Sequence, residues 1–307
     1  MKRNTFFLTL LAAASLLVAC NNAGKTGNDS DSLGTDAPTQ AEAPTAFDLQ
    51  ESNYSNKKDG VDVDFKIAYP TNENAVGQSV RAYLEEELCS AALLGADENG
   101  IRPQRAQNVA DQVRYSGMQA HDLLAQSREM QRKYMLEERD EEDMDGEISV
   151  PNYEQMFTSK PLCQTDNYVT YQTENYIYLG GAHGNTSRTF ATFAKASGNQ
   201  LGRVLKSGKE DEMQSLLREG MLLYFSQNDP DFTPDNLFEE LQLETEGYIP
   251  LPATEPALTK AGLLFTYQQY EIAPYSAGII SFTLPYEQVQ PFMTSEAKAL
   301  IEENEKP

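Results

Sequence analysis

The first fifty residues take themselves out of the folding problem. Met1-Lys2-Arg3 gives a positive start, and an apolar run follows from Phe6 to Ala19. That run is too short to span a bilayer, which takes about 20 apolar residues, and it reads as a signal peptide over residues 1–19. It closes on Leu17-Val18-Ala19-Cys20, a small residue followed at once by cysteine. This is the lipobox of a bacterial lipoprotein, so the mature chain is expected to begin at a lipidated Cys20. Residues 20–50 read as a disordered tether, because Asn21 to Pro44 is Asn, Gly, Thr, Ser, Asp, Ala and Pro with almost no apolar content. A chain of that length spans roughly 30 Å, enough to hold a domain clear of lipid head groups. About 250 residues are left to fold.

Those residues alternate between strand and helix patterns without strict order. Val61, Val63, Phe65, Ile67 and Tyr69 alternate with smaller or charged residues and stop at Pro70, which predicts a half-buried strand. Val76, Val80, Leu84, Leu88 and Ala91 make one helical stripe. A charged helical stretch is expected from Pro103 to Glu142. Strands are expected at Tyr168–Tyr171, Tyr176–Leu179, Thr189–Phe193, Leu263–Tyr267 and Ile279–Leu284. Ser207-Gly208-Lys209-Glu210 has the capping-box pattern, opening a helix with Met213, Leu216, Leu217, Gly220 and Tyr224 on its core side. The expected class is α+β, as two small mixed sheet-plus-helix domains after the tether. Their expected bounds are 54–195 and 196–295, with a charged tail over 296–307.

Charge narrows the partners. Once Lys2 and Arg3 leave with the signal, 22 basic residues face 47 acidic ones, a formal charge of −25. Nucleic acid is not an expected partner, because phosphate binding needs basic clusters. Electrostatic attachment to anionic lipid is not expected either, leaving the lipid anchor as the membrane contact. A field of this sign draws cationic partners, and it also keeps a surface soluble. With Cys20 lipidated, Cys89 and Cys163 remain, either as a disulfide or as two buried thiols.

Two segments stand out chemically. Gly180-Gly181-Ala182-His183-Gly184 puts His183 on a sharp turn, with glycines that admit positive φ and close backbone approach. Tyr270-Glu271-Ile272-Ala273-Pro274-Tyr275-Ser276-Ala277-Gly278 flanks a bend with two tyrosines. Each reads either as a ligand contact or as packed structure; the tyrosines would suit a sugar or a peptide. The candidate binding residues are Tyr178, Gly180, Gly181, His183, Tyr270 and Tyr275. Glu141-Glu142-Asp143-Met144-Asp145-Gly146-Glu147-Ile148 approaches a calcium loop. Its first position is Glu, however, and its twelfth is Asn152, where a bidentate Glu is required. It reads as a solvated acidic loop. No HExxH, CxxC, GxSxG, Walker or dinucleotide pattern occurs, so no cofactor, metal or catalytic residue is expected. A pair of carboxylates of the glycosidase kind is not singled out by anything in the sequence.

The segment Tyr176 to Asn185, then Phe190 through Ser197-Gly198-Asn199, then Tyr270 to Gly278, resembles the paired extracellular domains of the RsiV and PdaC families. The resemblance spans roughly Tyr54 to Phe292, with Gly180, Gly181, His183, Tyr270, Glu271, Pro274 and Tyr275 on its motifs. RsiV-type proteins are membrane anti-sigma factors whose outer domain binds lysozyme, and PdaC-type proteins carry the pair ahead of a peptidoglycan deacetylase. Neither an anti-sigma segment nor a deacetylase domain is expected from these residues. The resemblance therefore implies a non-enzymatic envelope protein that binds a cationic protein such as lysozyme. The alternatives are a cell-wall glycan as ligand, or a hydrolase with unrecognised carboxylates.

The lipobox makes a direct prediction. Cys20→Ala abolishes fatty-acid labelling and leaves the precursor uncleaved or released. Continued labelling and membrane fractionation of the variant would disprove the anchor.

Overall fold

The computed structural model describes residues 47–92, 105–138, 148–245 and 247–302. The expected leader, Cys20 and most of the expected tether lie outside them, as does the calcium-like stretch up to Glu147. One compact unit takes in everything from Ala43 onward.

Its larger sheet has five strands in the order β1-β2-β3-β4-β5: β1 Leu49–Lys58, β2 Val61–Pro70, β3 Tyr153–Gln164, β4 Tyr168–Tyr178 and β5 Asn185–Ala194. All neighbours are antiparallel except β2 and β3, which run parallel. Parallel neighbours need a long crossover. The chain makes it through α1, Ala75–Ala92, and α2, Val109–Glu137. The stripe Val76, Val80, Leu84 and Leu88 lies on Val63, Phe65, Phe157, Val169 and Tyr171 and forms the first core. Gly117 of α2 has no room for a side chain, since a Cβ there would stand 2.2 Å from the Tyr54 ring. Farther along α2, Arg128 donates to the carbonyls of Asp59, Val150 and Pro151, pinning the helix across the β1–β2 turn and the entry to β3.

Two strands escape the apolar alternation. β1 starts at Leu49, ahead of the Tyr54 expected, and is polar nearly throughout; a ten-residue register on β2 orders it. β3 turns Gln155 and Ser159 inward. Gln155 Nε2 donates to the Ala91 carbonyl at 2.9 Å, and Ser159 shares a 2.8 Å hydrogen bond with Thr173. Inward polar residues that bond in this way hide the strand's pattern. The two short strands expected at Tyr168 and Tyr176 are one continuous β4.

The second sheet is β6 Ala257–Leu258, β7 Leu263–Tyr267 and β8 Ile280–Leu284, antiparallel in that order. α3, Gln214–Asn228, packs on β8. Its Gly220 sits under Phe282, whose ring lies 2.1 Å from where a Cβ would be. Met213, Leu217, Met221, Phe225, Phe265 and Phe282 centre the second core. Short helices α4 Leu237–Glu240, α5 Tyr286–Val289 and α6 Ser295–Glu302 border it. The fold is α+β. The expected capping box does not form: the Ser207 hydroxyl accepts from Arg203, and a 3₁₀ turn at Asp211–Met213 leads into α3.

The disulfide between Cys89 and Cys163 does not form either; both thiols are free and buried. A register shift between Pro161 and Cys163 brings Cys163 opposite Thr170. A bulge of this kind moves the following side chain to the other face. Cys163 therefore joins Tyr168 in the second core, while Cys89 rides on α1 over the opposite face. Burial, followed by the Glu86 carboxylate, holds the Cys89 thiol above its ordinary range, which keeps it unreactive. Alkylation after unfolding without reductant should add two labels to the chain from Phe47 onward, one at each thiol. Intact mass showing no label there without reductant would contradict this packing.

Candidate functional site

The two segments that stand out in sequence meet in space. β4 ends at Tyr178, and the glycine turn carries the chain back into β5. Gly180 and Gly181 take φ of 84° and 100°, where any other residue is strained. Gly184 is needed for a different reason: the Tyr176 ring lies across it, 2.4 Å from where a Cβ would stand. Tyr178 braces the turn, its hydroxyl donating to the Gly181 carbonyl at 3.1 Å.

The other half of the site is the β7–β8 connection. Gln269 accepts the Thr186 N–H at 2.7 Å. Gln268 accepts the Arg188 N–H at 2.8 Å and donates to the Arg188 carbonyl at 2.7 Å. Two side-chain amides thus dock the loop on the outer edge of β5. Glu271 folds the loop on itself, its carboxylate accepting the Ala253 N–H at 2.6 Å and the Gln268 N–H at 2.7 Å. Pro274 leads into a 3₁₀ turn at Tyr275–Ala277, and Tyr224 fastens that turn by donating to Ala277 at 2.6 Å.

This docking sets three rings together at the surface. His183 and Tyr275 stack with centroids 3.5 Å apart and planes 15° from parallel. The Tyr270 hydroxyl lies 2.9 Å from His183 Nε2, and its ring centroid is 5.6 Å from that of Tyr275. His183 Nδ1 lies 3.1 Å from the Gly184 carbonyl. With the proton on Nδ1, Nε2 accepts from Tyr270. Tyr270 is 56% exposed and holds a φ of 65°, unusual for a residue with a side chain. The strain is held by the Glu271 and glutamine anchors on either side of it.

Tyr176, on β4, extends the cluster onto the sheet. Its hydroxyl is held above its ordinary range by desolvation and then by Glu154, Tyr275 and Tyr178 nearby. Beside it, Met156 is 47% exposed. On this open face Lys57 pairs with Asp62, Lys66 with Asp64, and Arg188 with Glu174. Of the residues expected from sequence, His183, Tyr270 and Tyr275 converge, while Tyr178, Gly180 and Gly181 shape the turn. Glu271 and Pro274 fold the loop, and Cys89 and Cys163 lie in the cores. Tyr176, Gln268 and Gln269 were missed as site residues. The period-two spacing of Tyr176 and Tyr178 marks one strand face, but glutamines that cap an edge carry no sequence signature. Among the described residues no three His, Cys, Asp or Glu side chains stand close enough to share a metal ion. None of the described helices is long and apolar enough to cross a membrane.

Comparison with known proteins agrees with this layout. Residues 55–186 match the family model described as deacetylase PdaC, and residues 199–287 match a protein family of unknown function, DUF3298. A DUF3298 family member from Bacteroides fragilis shares the fold with a TM-score of 0.61 at 18% identity, over 85% of this chain and 98% of that one. Another from Pseudomonas aeruginosa gives 0.52 at 14% identity, over 83% and 98%. Nothing among the curated proteins matches the sequence.

The geometry separates anchors from exposed rings. Glu271→Ala removes two hydrogen bonds to a charged group and should lower unfolding stability by about 2–3 kcal/mol. Tyr270→Ala removes an exposed ring and should cost less than about 1 kcal/mol. Urea unfolding of both variants checks the order; a larger loss for Tyr270→Ala would reverse the assignment.

Proposed function

We propose that this chain, in which a PdaC-type domain is followed by a DUF3298 domain, is a non-enzymatic binding protein of the bacterial cell envelope, anchored through lipid on Cys20. The reading is carried by one observation. Two segments some ninety residues apart together spend glycine turns, strained backbone at Tyr270 and anchoring hydrogen bonds to hold His183, Tyr270 and Tyr275 together at an exposed surface. Rigid aromatic anchors of this kind are what binding surfaces concentrate. His183 points at a tyrosine hydroxyl and a backbone carbonyl, and among the described residues no carboxylate pairs with it.

The partner we propose is a cationic protein such as lysozyme. The resemblance to RsiV-type domains and the excess of 47 acidic over 24 basic residues support this partner. The field would raise the encounter rate and the rings would provide the contact. A second reading has an observation of its own. Several ionic groups of this face pair with one another, leaving tyrosine faces that suit stacking on a cell-wall glycan.

Salt separates the two. Calorimetry against hen-type lysozyme should show binding at low salt that weakens by roughly tenfold or more at physiological ionic strength, where charges are screened beyond about 8 Å. His183→Ala and Tyr270→Ala should weaken it with the fold unchanged by circular dichroism. No heat at low salt rejects the cationic partner. Salt-insensitive binding of a chitin oligosaccharide, lost in the same variants, supports the glycan.

A further inference from the structure

Along the outer edge of β5, Phe190 is the one position among the described residues where neither outward backbone group is taken. An antiparallel edge strand presents the N–H and C=O of alternate residues outward. On β5 these are Thr186, Arg188, Phe190, Thr192 and Ala194, since Thr186 and Arg188 bond outward to the glutamines. The Arg188 carbonyl takes Gln268 Nε2, the Thr192 carbonyl takes the Leu201 N–H, and the Ala194 N–H reaches the Asn199 carbonyl. Phe190 stands in the middle of this row. Among the described residues its outward N–H and C=O have no partner. A cleft of about 330 Å³ opens at that position, lined by Phe190, Thr192, Gln200, Gly202, Thr254 and Glu255 among others.

We infer that this gap binds a short peptide, which sets one extended residue against Phe190 and its amino end towards Glu255. The hydrogen-bond pattern selects the class. An extended amino-acid residue carries an N–H and a C=O on one side, spaced to exchange both bonds with Phe190. The flanking caps select the length. Gln268 at Arg188 and Leu201 at Thr192 are about 13 Å apart along the strand, so a strand running through would collide with both. About three residues fit between them. Glu255 selects the charge. Its Oε2 accepts the Val204 N–H at 3.0 Å, while Oε1 is 3.7 Å from Arg203 Nε with both side chains substantially exposed. The carboxylate keeps accepting capacity for an ammonium. The inference uses none of the ring residues and stands apart from the reading of the aromatic cluster.

The probe is trialanine with a free amino end, added to the ¹⁵N-labelled chain from Phe47 onward. The amide resonances of Phe190 and Thr192 should shift with saturable titration. Methylating the amide nitrogen of the central alanine, which removes the N–H offered to the Phe190 carbonyl, should weaken binding by about tenfold. Acetylating the amino end should weaken it in the wild type but not in Glu255→Gln. Gly202→Leu fills the cleft from a glycine that has open space at its missing Cβ, and it should abolish the shifts in a protein with an otherwise unchanged spectrum. His183→Ala should leave them intact. Absence of any shift at Phe190 up to about 10 mM peptide in a folded sample, or equal binding of the methylated peptide, would mean that water alone fills the gap.

Discussion

The outer edge of β5 is the constraint on which the candidate site depends. An edge strand exposes unpaired backbone groups and invites pairing. Here Gln268 and Gln269 take the place of a sixth strand at Thr186 and Arg188, and the segment around Leu201 does so at Thr192 and Ala194. Because the two glutamines immediately precede Tyr270, protecting the edge and presenting the ring are one act. The same hydrogen bonds that close the first sheet carry the loop of the second sheet to within 2.9 Å of His183.

A second constraint is the two-faced nature of the large sheet. One face is covered by α1 and α2 and is largely apolar, with Gln155 and Ser159 bonded within it. The other is divided. Near Cys163, Tyr168 and Thr170 it contacts the second core, where Thr170 donates to the Leu258 carbonyl at 2.8 Å and Tyr168 to Thr259 at 3.0 Å. Toward Tyr176 and Tyr178 it is open. The bulge at Pro161–Cys163 belongs to this division, since it hands Cys163 to the covered part and so separates the two thiols.

Much of the fold could be read in the chain. β2, α1, β7 and β8 declare themselves because each buries one face against a single core, and burial imposes period 2 or 3.6 on the residues. β1 and β3 do not, because their stability comes from neighbours. β1 is held by register on β2, and β3 by hydrogen bonds through Gln155 Nε2 and the Ser159 hydroxyl. For the site, the glycines and tyrosines were visible as dense segments, because positive φ and exposed rings demand particular residue types.

The sequence by itself determined the class of the fold, the acidic charge and the two segments from which the site is built. All of these are local, set by composition, periodicity or the backbone needs of single residues. Only the tertiary structure decided that His183 stacks on Tyr275, that Tyr270 binds it, that Glu271 is an anchor rather than a contact, and that Cys89 and Cys163 lie on opposite faces. Those outcomes depend on which strand edges meet and on where one extra residue shifts a register. Such facts relate residues far apart in the chain, and no local pattern encodes them.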